Sequence, residues 1–155
     1  MGTHYQGTKT EVRALNGFIT LLRAAESVSS RLARRLDTDQ LTGSQFGILE
    51  TLWHLGPMQQ SELGKKLLKS SGNITLVVDN LQKQQLVQRE RMRDDRRRIT
   101  VSLTEKGQQL ISDIFPRYVA YIVEEMRTLT AAEQDVLRTL CRRLGHQDVK
   151  AQKKK

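Results

Sequence analysis

Residues 70–104 read SSGNITLVVDNLQKQQLVQRERMRDDRRRITVSLT, and the change of period inside this stretch decides the fold. Its first half places Ile74, Val77, Val78 and Leu81 at i, i+3, i+4 and i+7, one apolar face of an α-helix, with Ser70 as a good N-cap. Its last part alternates: Ile99, Val101 and Leu103 are separated by polar residues across Arg98 to Thr104, as in a half-buried strand. Val87 to Arg93 can pair with that strand antiparallel, leaving Asp94, Asp95, Arg96 and Arg97 near a hairpin tip.

On either side of this stretch the pattern is helical. Upstream, a short helix from about Gln60 to Leu68 carries Leu63 and Leu67. Before it, Thr42-x-x-Gln45 can form a capping box that opens a helix with Phe46, Leu49, Leu52 and Trp53 on one stripe, ended by Gly56-Pro57. From Glu11 to Leu36, apolar residues at steps of three or four predict one long amphipathic helix, with more apolar face than a small domain can cover. Downstream, Thr104 caps a long helix bearing Leu110, Ile111, Ile114, Tyr118, Ile122 and Met126, in which Pro116 should introduce a kink. A last helix opens at Thr130-x-x-Glu133, is expected to bury Val136, Leu137, Leu140 and Leu144, and stops at Gly145. The expected fold class is mainly α with a small β-wing: a winged helix-turn-helix over 41–103, flanked by long helices over 10–38 and 104–147. Residues 1–9 read as a loose end and 148–155 as a basic tail.

Composition narrows the function classes. The chain has 155 residues, 37% hydrophobic and 28% charged, with a mean hydropathy of −0.53. That suffices for one lean core, and lean cores often oligomerise. Twenty-six Lys and Arg against 17 Asp and Glu give a formal charge of +9, a balance that favours a polyanionic partner. A single cysteine allows no intramolecular disulfide, no run is long and apolar enough to span a membrane, and the N-terminus lacks an apolar signal region. A soluble, cytoplasmic chain is expected.

Two short helices joined tightly and followed by a hairpin suit duplex DNA, because a helix or a two-stranded ribbon fits the major groove. Lys69, Ser70, Ser71, Gly72, Asn73 and Thr75 bring short polar side chains and helix N-terminal amides to that groove. Asn73 can pair with adenine, and Gly72 permits close approach. Residues 89–98 hold six arginines against three acids, a net charge of +3. Arg96, Arg97 and Arg98 at the tip can reach the minor groove, where negative potential is focused. Asp95 and Arg97 could brace the tip through a bidentate pair.

At these residues the chain resembles the MarR family of bacterial transcription regulators. Asp95-x-Arg97-x-x-x-Val101-x-Leu103-Thr104-x-x-Gly107 resembles that family's wing signature. Leu41-Thr42-x-x-Gln45-Phe46-x-x-Leu49, Gln60 to Leu63, Ser70 to Leu81 and Leu86-Val87 resemble its helix-turn-helix. The resemblance covers about residues 11–147. It implies a homodimer built on the first, fifth and sixth helices, with the fourth helix in the major groove and Arg97 in the minor groove of a pseudo-palindromic operator. It further implies a cytoplasmic, nucleoid-associated regulator, most often a repressor, relieved by a small aromatic anionic effector or by oxidation. Candidate linings of an effector pocket are Phe18, Arg31, Phe46, Trp53, Tyr118 and Tyr121. Two positions depart from the family pattern: Gln85 stands where glycine is usual after the recognition helix, and Gln59 where Thr or Ser often caps the third helix.

No catalytic or metal site is expected: His4, His54 and His146 are scattered, and neither ligand spacing nor a phosphate-cradling glycine loop occurs. No cofactor is called for. Cys141 reads as buried or interface packing, with a reactive thiol beside Arg142 and Arg143 as the sharper alternative. Two rival functions remain at this level, a nucleic-acid adaptor without sequence preference and a protein-interaction module using the basic hairpin.

Overall fold

A computed structural model describes residues 4–68, 70–91 and 99–145 of the protein. The chain divides into two compact units, Met1–Val119 and Ala120–Lys155.

The first unit begins with α1 (Lys9–Leu36), which starts inside the stretch expected to be loose. A Thr8/Glu11 capping box explains the earlier start. The Glu11 carboxylate accepts from the Thr8 N–H at 2.8 Å, and the Thr8 hydroxyl accepts from the Glu11 N–H at 3.3 Å. A 3-10 turn (Asp37–Asp39) follows and closes on Gln40 in the left-handed region. Next come α2 (Gly43–Leu55), β1 (Met58–Gln59), α3 (Gln60–Lys66), α4 (Ser71–Lys83), β2 (Val87–Arg91), β3 (Ile99–Leu103) and α5 (Glu105–Met126). The expected Thr42/Gln45 box caps α2, and Gly56 ends it with φ +77°. At α3 the Glu62 carboxylate accepts from the Gln59 N–H at 3.1 Å, which offsets the poor capping residue at 59.

The sheet has three strands in the order β1-β3-β2, all antiparallel, with Met58 opposite Val101 and Val87 opposite Leu103. The expected hairpin is present, but β1 is an addition: two residues are too short for an alternating pattern to register. The core of this unit sits where α2, α3, α4, the sheet and the first turns of α5 meet. Leu49, Leu63, Val78, Leu81, Val101 and Ile111 are fully buried there.

α5 runs through Pro116 without a break in its helical assignment, and the proline is exposed. Two features tie the start of α5 to the end of α4. The Thr104 hydroxyl donates to the Gln85 carbonyl at 2.6 Å and accepts from the Gly107 N–H at 3.0 Å, while the Thr104 N–H donates to the Leu86 carbonyl at 3.1 Å. A Cβ at position 107 would overlap the Leu86 carbonyl oxygen, so the close approach requires glycine. Gln85 itself has φ +60°, a left-handed cap at the position where it replaces glycine.

The second unit contains the end of α5 and α6 (Ala131–Gly145). Its corner is closed by the Gln134 side-chain amide, which donates to the Met126 and Leu129 carbonyls at 3.0 and 3.1 Å. The Thr130/Glu133 box caps α6, and hydrogen bonds from the Thr130 N–H and hydroxyl hold the Glu133 carboxyl below its ordinary pKa. The expected burial of Val136, Leu137, Leu140 and Leu144 is not found: all four are exposed, because this unit has no layer of its own to set against that face. Cys141 is likewise exposed and free, so it is not buried within its own chain.

Candidate nucleic-acid interface

α4 is held by its core face. Ile74, Val78 and Leu81 are buried, which turns the opposite side of the helix outward. Ser70 caps it, its hydroxyl accepting from the Asn73 N–H at 3.4 Å. Ser70, Ser71, Gly72, Asn73 and Thr75 are all exposed, clustered on the first turns of α4. The orphan N–H groups of a helix start and its positive dipole end therefore face solvent beside short polar side chains, an arrangement that receives phosphate and base edges.

Thr75 is more constrained than its neighbours. Its hydroxyl donates to the Ser71 carbonyl at 3.0 Å and accepts from the Gln60 side-chain amide at 2.9 Å. The same Gln60 accepts from Arg89 Nε at 3.1 Å. Arg89 also bonds the carboxylate of Asp79, the side-chain oxygen of Gln82 at 3.2 Å and the Thr75 carbonyl at 3.3 Å. One guanidinium on β2 thus fixes α4 at Thr75, Asp79 and Gln82 and reaches α3 through Gln60.

In the sequence Arg89 reads only as hairpin charge, although its planar fork of five donors suits bracing several acceptors. Asp79 on the helix opposite was the available signal. Lys69, Asp95, Arg96, Arg97 and Arg98, and hence the Asp95–Arg97 brace and the arginine tip, lie outside the described residues. So do His146 and the basic tail.

A cavity of about 400 Å³ opens between α1 and α2 and is lined by Ser29, Ala33, Gly43, Gly47, Ile74 and Tyr118 among others. Of the six residues expected to line an effector pocket, Tyr118 is the one that does. Phe46 is core, its ring 4.1 Å from that of Tyr118. Trp53 packs on Phe115 at 5.0 Å and on His54 at 4.7 Å. Phe18 is exposed on α1, Arg31 donates to Ser27 Oγ at 2.6 Å, and Tyr121 belongs to the second unit. Burial, with the Glu50 carboxylate adding to it, raises the Tyr118 phenol above its ordinary pKa, so it stays a neutral hydrogen-bond donor at neutral pH. Among the described residues no cluster of His, Cys, Asp or Glu could hold a metal ion, and no helix is long and apolar enough to cross a membrane.

Comparison with known proteins bears on this geometry. The family model described as "MarR family" matches residues 41–99, the stretch from the opening of α2 to the start of β3. The regulator MhqR of Bacillus subtilis (strain 168), described as an HTH-type transcriptional regulator, is 35% identical over 133 residues, 86% of this chain and 92% of that protein. The HTH-type transcriptional repressor NicR of Pseudomonas putida is 32% identical over 132 residues, 84% of each chain. In fold, the chain matches Sco3205, a MarR family transcriptional regulator from Streptomyces coelicolor solved in complex with DNA, with a TM-score of 0.80 at 21% identity. That match covers 92% of this chain and 90% of the other. A winged helix-turn-helix whose fourth helix turns a polar start outward, together with near-full-length identity above 30%, establishes that this chain belongs to the MarR family of transcription regulators.

Proposed function

We propose that the protein is a homodimeric, sequence-specific repressor that grips a pseudo-palindromic DNA duplex, with α4 of each subunit in a major groove and the arginine hairpin in the adjacent minor groove. The observation that carries this reading is the two-faced α4: a buried stripe that fixes its position and an exposed, capped, polar start. Repression is favoured by the resemblance to NicR, a repressor by its description. Dimerisation is supported by apolar side chains left exposed within each unit, Phe18 and Leu22 on α1 and Leu137, Leu140 and Leu144 on α6.

Two subunits related by a two-fold axis read half-sites about 10 bp apart, centre to centre. With about 8 to 10 phosphates contacted, log affinity against log salt falls with a slope of about −7 to −9. Selection of duplexes from a random pool, then anisotropy titration of the enriched site against random duplex at matched salt, tests the reading. The expected result is a palindromic consensus bound at least a thousandfold more tightly, in line with the usual range of about 10³ to 10⁷. Equal affinity for both duplexes makes the protein an adaptor without sequence preference, and a monomer that ignores DNA at low ionic strength ends the reading altogether.

The cavity beside Tyr118 is the place we assign to an effector. Its described lining offers hydroxyls from Ser29, Thr42, Ser44 and Tyr118 and no charged side chain. A small neutral aromatic molecule with hydrogen-bonding substituents fits this chemistry better than the anion implied by the family resemblance. Release of labelled operator on titration with such compounds, lost in Tyr118→Ala, is the expected signature.

A further inference from the structure

Around α4, Ile74, Val78 and Leu81 mark the core side. At 100° per residue, position 76 falls diametrically opposite, with position 72 one turn before it on the same side. That outermost place is held by leucine, 61% exposed, the one large apolar side chain that α4 exposes among its described residues. An alanine or lysine would serve the helix equally well there, so packing within the chain does not explain it. Gly72, one turn before Leu76, has open space where a side chain would stand. The neighbouring Thr75 hydroxyl donates its proton back to the Ser71 carbonyl, within the helix, rather than outward. At this point of the helix, apolar contact replaces hydrogen bonding.

We infer that Leu76 is a specificity-determining residue that reads the C5-methyl group of a thymine in the major groove. This rests on the reading of α4 as the groove helix. Among the four bases only thymine carries a methyl on the major-groove edge, and an apolar side chain is its natural partner. Docking removes both from water.

The test uses duplexes enriched from a random pool by the full-length protein and resynthesised with deoxyuridine replacing each thymine in turn, which deletes the 5-methyl alone. The expected result is one thymine per half-site whose demethylation weakens wild-type binding about fourfold, the equivalent of roughly 0.8 kcal/mol per buried methyl. Leu76→Ala binds the thymine site more weakly and no longer distinguishes thymine from uracil there, whereas Leu76→Met, which keeps an apolar side chain, retains the discrimination. Methyl deletion without effect at every thymine, or with equal effect in wild type and Leu76→Ala, overturns the assignment while leaving the regulator reading intact. Failure to enrich any duplex overturns both.

Discussion

α4 and α6 are amphipathic helices of 13 and 15 residues with similar apolar stripes, yet they meet opposite fates. In α4, Val78 and Leu81 are completely buried by the sheet, α2 and α3; in α6, Leu140 is 49% exposed and Leu144 57%. The difference lies in what surrounds each helix. The first unit has a second layer to place against α4, so its stripe is satisfied within the chain. The second unit is a capped helical corner whose apolar side faces water. A stripe states that a face needs covering; it does not state whose atoms will cover it.

The contrast is broken most forcefully from the α4 side. Leu81→Ala removes a fully buried side chain and is expected to cost about 2 to 5 kcal/mol of unfolding free energy, read by denaturant titration. A cost below 1 kcal/mol would mean that α4 is not seated as described. The matching change in α6, Leu137→Glu with Leu140→Glu, is expected to leave the helix-turn-helix folded but to weaken self-association at least a hundredfold, about 3 kcal/mol, seen by sedimentation. An unchanged dimer would show that another surface holds the subunits together.

Arg89→Ala sharpens the comparison by loosening α4 without touching its buried stripe. We expect a loss of about 1 to 2 kcal/mol, moderated because the Asp79 side chain is 41% exposed. Operator affinity should fall more than affinity for random duplex, since a mispositioned helix loses base contacts before phosphate contacts. The smallest effect is a gain: Gln85→Gly relieves the left-handed φ of +60° and should stabilise the protein by up to about 1 kcal/mol, raising its thermal midpoint. A lower midpoint would mean that Gln85 contributes contacts that outweigh its strain.

Much of the fold could be read from periodicity and caps. The α4 face, the Thr42/Gln45 and Thr130/Glu133 boxes and the Gly56 stop each arise within a few residues, and the β2–β3 partners from Arg91–Ile99 to Val87–Leu103 lie close in sequence, where local pattern is informative. β1 escaped because its pairing partner, β3, lies some 40 residues away in sequence and its own two residues carry no period. The exposed state of α6 escaped for the reason given by its contrast with α4. At the candidate interface, residue types named the polar start of α4 correctly as exposed. They could not show that the Gln60 amide bonds the Thr75 hydroxyl, nor that Arg89 serves Asp79 and Gln60, because these contacts span 10 to 29 positions.

The junction at Gly107 carries a mechanical consequence. With the Leu86 carbonyl lying where a side chain would otherwise stand, and Thr104 bonded to Gln85 and Leu86, the tail of α4 and the head of α5 are joined in one closely packed elbow. Tyr118 lies farther along that same α5, at the cavity. A displacement of α5 by a molecule lodged beside Tyr118 would be handed to the rear end of α4 as leverage, with little slack in between.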